Sequence, residues 1–250
     1  MQLPAGTGLR LRRRGGLFVA GAFASGHVGR ALLRVSVALL LPGTALAQGA
    51  PAGRTGLQLD ARTGLSIPFG KATPAQDDEL SGRYGKQVPI LFGIGGKFSP
   101  AVYLGGYFGF SIGGPGSSSE LQALCDSPDT EECSAVTARF GIETRYYFAP
   151  EAVWDPWLAY GLGFEGSTLG IDRAGQRDYT TLTGFELARI AAGLDWRASK
   201  VFGIGAYFET SLGIFISEYA EVNDRVTIDR DFDGAIHGWA TLGVRALFFP

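Results

Sequence analysis

Apolar and polar residues alternate along most of this chain, from near Thr55 to Phe249, in eight successive segments. In the first, Leu57, Leu59, Ala61, Thr63, Leu65, Ile67 and Phe69 take every second position, with Gln58, Asp60, Arg62, Gly64 and Ser66 in the gaps. A period of two predicts a strand with two unlike faces. The second segment sets Val88, Ile90, Phe92 and Ile94 against Leu91, Gly93, Gly95 and Lys97; the third sets Leu104, Phe108 and Phe110 against Tyr103 and Tyr107. In the fourth, Phe140 and Ile142 alternate with Arg139, Glu143 and Arg145, and in the fifth Leu158, Leu162 and Phe164 alternate with Glu165. The seventh and eighth pair apolar Ile204, Phe208, Leu242 and Val244 with polar-face Glu209, His237, Trp239 and Arg245. The sixth breaks parity: Ile190, Ala192 and Leu194 oppose Arg189 and Asp195, but Phe185 and Leu187 fall on the other series, so a bulge is expected near Ala188.

Polar faces rich in glycine and in charges of both signs predict an inverted barrel, apolar outside and charged within. A soluble barrel of the same strands would bury Arg62, Lys97, Glu143, Arg145, Glu165, Glu209 and Arg245 in an apolar core, against the cost of desolvating charge. The expected fold is therefore all-β, an eight-stranded antiparallel up-and-down transmembrane barrel. The connections alternate in length as such a barrel requires. Short turns are expected at Ser99-Pro100, at 149–155 and at 198–200, and long loops near 70–87, 113–135, 166–183 and 217–235. Phe98, Phe148, Trp154, Trp157, Trp196, Phe202 and Phe248 flank the short turns, as an aromatic girdle at a lipid interface does.

Residues 1–47 contain six arginines and no acid, then an apolar run from Val35 to Leu41 and the small-x-small site Ala45-Leu46-Ala47. This predicts a secretory signal cleaved before Gln48. The apolar run is shorter than the about 20 residues that a spanning helix needs. The stretch before Arg34 is long for a signal, which suggests either a mis-assigned, over-long start or a twin-arginine motif at Arg13-Arg14. A short segment, 48–54, and a barrel domain, 55–250, follow. Without the six arginines, 16 basic residues face 24 acidic ones, a net charge of −8 that argues against nucleic acid as a partner.

With these features the chain resembles the small eight-stranded outer-membrane barrels of Gram-negative bacteria, the superfamily of the outer-membrane protein A transmembrane domain. The most specific piece is the end, Ala240 to Phe249, which looks like the C-terminal signal such barrels present to their assembly machinery; Pro250 departs from it, since the aromatic is usually last. The resemblance implies a monomer in the outer membrane, with lipid and the assembly machinery as partners.

Candidate chemistry lies in the lumen and the loops. Arg62, Lys97, Arg139, Arg145, Arg189 and Arg245 face Glu143, Glu165, Asp195 and Glu209, and a lumen only wide enough for side chains predicts a structural ion-pair plug. The competing reading is a narrow polar pore for ions or small solutes. Cys125 and Cys133, the only cysteines, share the second long loop and are expected to form a disulfide in an oxidising compartment. That loop also carries Glu120, Asp126, Asp129, Glu131 and Glu132, expected to be solvated or to meet an extracellular ligand. Asp229, Asp231 and Asp233 before Gly234 match the opening of a calcium loop, but its twelfth position is Ala240 rather than Glu. Small barrels also include lipid-modifying enzymes that use His and Ser. Here His237 points inward with no acid or Ser partner evident, so a non-enzymatic envelope protein, with no cofactor, is the expectation.

Overall fold

The alternation closes on itself. In the computed structural model, which describes residues 54–173, 176–223 and 225–250, eight strands form one closed antiparallel barrel in chain order. They are β1 (Gly56–Gly70), β2 (Tyr84–Ser99), β3 (Val102–Pro115), β4 (Thr130–Tyr147), β5 (Trp154–Arg173), β6 (Gln176–Trp196), β7 (Phe202–Val222) and β8 (Arg225–Phe248). β8 returns to β1 through a ladder from Leu59↔Phe248 to Gly70↔His237, so the band it encloses has no free edge. The expected signal, its cleavage site and residues 48–53 lie outside the described residues.

Across this band the polarity is inverted, with large apolar side chains outside and the charges within. Ile94, Phe108, Phe140, Ile142, Leu162, Phe164, Phe208, Leu242 and Val244 are 46–68% exposed on the outer wall. A contiguous apolar surface this large has no place in water and marks contact with lipid. Stacked pairs on that wall, Phe92 with Phe108 and Phe140 with Phe164, are cross-strand neighbours of the ladder. Phe98, Phe148, Trp154, Trp196, Phe202 and Phe248 are exposed near the short turns. Trp157 departs from the expected girdle: it is buried, and its indole donates to Asp195 in the lumen at 3.0 Å.

The bulge in β6 sits at Leu187. Glu186 pairs with Gly213 and Ala188 with Leu212, leaving Leu187 as an extra residue; Phe185 and Leu187 are thereby both exposed, with Glu186 buried between them.

The long connections differ from expectation. A tilted strand needs about 9–11 residues to cross a bilayer, whereas β5 to β8 have 20 to 24. Most of the segments near 166–183 and 217–235 are not loops but continuations of these strands, paired out to Arg173↔Gln176 and Val222↔Arg225. Asn223, with φ at 54°, makes the tight turn between β7 and β8. The first two long connections carry short helices, α1 (Leu80–Arg83) and α2 (Ser119–Cys125), the latter capped by the Ser118 side chain accepting from the Leu121 N–H.

Candidate functional site

The lumen is built by every second residue of all eight strands, and its charges lie in tiers along the axis. The central tier joins strands that are not neighbours in the sheet. Arg62 on β1 donates to Asp60 at 2.7 Å and, across the lumen, to Glu143 on β4 at 2.6 Å. Arg145 on β4 returns to Asp60 at 2.7 Å and also contacts Glu143. Glu209 on β7 accepts from Arg189 on β6 at 2.5 Å and lies 3.7 Å from Arg62. Toward the short turns, Arg245 binds Asp195 and sits 3.9 Å over the Trp157 ring. Toward the long connections, Arg139 is 3.4 Å from Glu165, which also accepts from the Trp239 indole at 2.8 Å. The guanidinium planes rest on aromatic rings, Arg145 over Tyr103 and Arg189 over Tyr107.

All ten expected lumen residues point inward. Three further buried acids join them. Asp60 bridges Arg62 and Arg145, Glu186 accepts from the Tyr107 hydroxyl, and Asp155 on β5 pairs with Arg197. Asp60 could have been found from its place between inward-facing Gln58 and Arg62. Glu186 was hidden by the bulge. Lys97 is a correction: among the described residues no carboxylate lies within ion-pair distance, and its ammonium sits 3.8 Å over the Tyr147 ring. Glycines make the room. A Cβ on Gly141 or Gly163 would come within 2.5 Å of the Tyr107 hydroxyl, on its way to Glu186.

The side chains of Asp60, Arg62, Glu143, Arg145, Arg189, Asp195, Glu209 and Arg245 are 0–4% exposed.

Above this band the interior changes character. Leu80 of α1 and Leu121 of α2 drop into a cluster with Ala72, Tyr84, Ala135, Leu169, Leu182, Phe215 and Trp239. The two helical connections are tied to each other by backbone bonds, Gly116 to Arg83, Ser117 to Ser81 and Ser118 to Gly82. They form one apolar lid over the mouth. Arg83 fastens it, donating to Asp78 within the lid and to Glu218 on β7 at 2.6 Å; Glu218 also accepts from Arg230 on β8. Burial pulls the Arg83 pKa down, but the hydrogen bonds and charges of Asp78 and Glu218 outweigh this and raise it. The Cys125–Cys133 disulfide ties the end of α2 to β4. Glu120, Asp126 and Asp129 on this connection, and Glu131 and Glu132 at the start of β4, are all exposed.

His237 is buried beneath the lid, stacked on Phe215, with its Nε2 3.5 Å from Glu165. Ser167 donates to the same Glu165 at 3.3 Å. The acid therefore stands between the serine and the histidine, whereas nucleophilic catalysis needs the histidine against the serine. Asp229, Asp231 and Asp233 lie along extended β8, all exposed, rather than curled into a loop. Among the described residues no three His, Cys, Asp or Glu side chains converge on a point that could hold a metal ion.

A closed ring of eight strands with an apolar outer belt and a charged, side-chain-filled interior has one setting. The chain is a closed eight-stranded transmembrane β-barrel. No protein-family model matches the chain, and no curated protein matches it either. Solved structures similar to the barrel include Neisserial surface protein A, 12% identical with a TM-score of 0.42, over 76% of this chain and 96% of that one. Ail, the attachment invasion locus protein of Yersinia pestis, is 13% identical with a TM-score of 0.43, over 78% of this chain and 100% of that one. The outer membrane protein OprG from Pseudomonas aeruginosa is 9% identical with a TM-score of 0.41, over 79% and 99%. Likenesses this loose carry nothing about activity; the barrel's assignment stands on its own ladder and belt.

Proposed function

We propose that the barrel is a closed, non-enzymatic, monomeric protein of the envelope. Its lumen charges serve as a structural plug, and its long-connection end faces outward as the working surface. The observation that carries this reading is the near-zero exposure of the lumen side chains together with the apolar lid above them. An interior where Arg62 and Arg145 cross-link β1 to β4, and the other guanidiniums tie strands nearer to one another, holds the ring together and fills the lumen with paired side chains. Conductance of the purified protein in planar bilayers tests it: the expected result is a silent membrane, and steady stepwise conductance would overturn the plug in favour of a pore. The separation of serine from histidine supports the non-enzymatic part. Expression in a host should leave the mass of its lipid A unchanged, and a mass shift would refute it. Orientation has its own test. Protease added to intact cells is expected to cut the lid between 116 and 129; cutting only after the periplasm is opened would reverse the assignment.

A further inference from the structure

The barrel is closed only as far as β1 reaches. β1 ends at Gly70, opposite His237, and the last backbone bond on that side of β8 is from the Lys71 N–H to the Ile236 carbonyl at 2.8 Å. β8 continues beyond it, paired with β7 as far as Val222↔Arg225. Among the described residues no backbone group bonds to the other side of Arg225–Ala235. A sheet edge of this kind presents a row of unpaired N–H and C=O groups, a template for one more strand.

The side chains along the edge state what that strand must be. On the outer face Asp229 stands beside Tyr219, Asp231 beside Ser217, and Glu221 beside Val226. All of the charges on that face are negative, since Arg230 lies on the opposite face in the grip of Glu218. The inner face is apolar at its two half-buried positions, Ile228 and Phe232, the latter packed against the lid cluster. A strand lying along β8 therefore meets carboxylates on the outer face and, on the inner face, Ile228 and Phe232 with Arg230 between them, its charge held by Glu218. Opposite charges across a ladder favour it, and like charges oppose it. A second copy of this edge would set aspartate against aspartate.

We infer that the free edge of β8 at Arg225–Ala235 docks an extended basic segment of another protein, with Lys or Arg alternating with apolar residues, as an added strand. This deepens the reading of the long-connection end as the working surface, yet the two fail separately: conductance would overturn the plug and leave the edge untouched.

The test uses the full barrel in detergent micelles and a labelled peptide of alternating Lys and Val, about ten residues long, at about 0.15 M salt. Fluorescence anisotropy is expected to show saturable binding, and hydrogen exchange to slow at Arg225–Ala235. Asp229→Lys with Asp231→Lys is expected to weaken binding at least about tenfold, and the gentler Asp229→Asn with Asp231→Asn to weaken it less. A peptide of alternating Lys and Pro has the same charge but cannot offer the ladder its N–H groups, and is expected not to bind. Equal binding of the Lys-Pro peptide, no effect of the aspartate variants, protection elsewhere on the barrel, or no saturable binding of the Lys-Val peptide would each overturn the inference.

Discussion

The lumen and the lid are stacked in one barrel and follow opposite rules. In the band where Ile142, Leu162 and Leu242 face lipid, the interior is charge against charge, Arg62 with Glu143 and Arg145 with Asp60. Above it, where the wall meets water, the interior reverts to Leu80, Leu121, Leu182 and Phe215, as in any soluble domain. The strands that make both parts are the same. What changes is the solvent outside. In lipid the apolar side chains lose nothing by facing out, so the polar set must pair inside. In water the hydrophobic effect returns, and apolar side chains are driven inward. The difference teaches that inside-out is a property of the band, not of the chain.

The comparison can be broken from either side. The largest effect is expected in the lumen. Arg145→Ala leaves Asp60 and Glu143 with a buried partner missing, about 3–5 kcal/mol for a fully desolvated pair. Denaturant titration in micelles measures this, and a loss near zero would mean that water enters the lumen. Leu80→Ala empties a place in the lid and should cost about 2–5 kcal/mol. The loss should be local: hydrogen exchange is expected to rise at the lid while the lumen-facing strands stay protected. Leu162→Arg puts charge on the lipid wall, at about 2–4 kcal/mol near the midplane. In this case the whole ring should weaken together.

Smaller effects sharpen the contrast. Reducing Cys125–Cys133 frees one end of α2 and is expected to cost roughly 2–3 kcal/mol by the chain-entropy model for so short a ring. Its effect should fall on the lid, read by faster proteolysis there. Glu131→Ala, at an exposed position at the start of β4, should change stability by less than about 0.5 kcal/mol. A larger change would place Glu131 in a contact that its exposure does not suggest.

How much of this could be read from the residues differs between the same two regions. The strands, their order, their inward and outward faces and the bulge of β6 follow from parity alone, because a one-residue slip would turn every side chain to the wrong medium. Parity also names the lumen charges, including Arg62, Arg145 and Glu209. It does not say who pairs with whom. Arg62 meets Glu143 across the lumen because barrel closure brings β1 opposite β4, and no local spacing encodes that. Trp157 was misplaced for a related reason: an aromatic near a turn suits a girdle, yet its parity aims it at Asp195.

The lid and the free edge belong to tertiary structure. Leu80 and Leu121 are ambiguous at short range, isolated apolar residues in largely polar connections, and they become a core only when both connections meet over the mouth. In the segments near 166–183 and 217–235 the outer face meets water rather than lipid, which removes the lipid-facing half of the alternation and makes strand resemble loop. Asp229, Asp231 and Asp233 matched a calcium loop by spacing, but the ladder to β7 holds them extended. The sequence by itself determined a membrane barrel, since period-two alternation is a local property set by the pleat. Only the closed structure decided how its charges pair, what covers its mouth and where one edge stays open, since those depend on which strands closure makes neighbours and how far each of them runs.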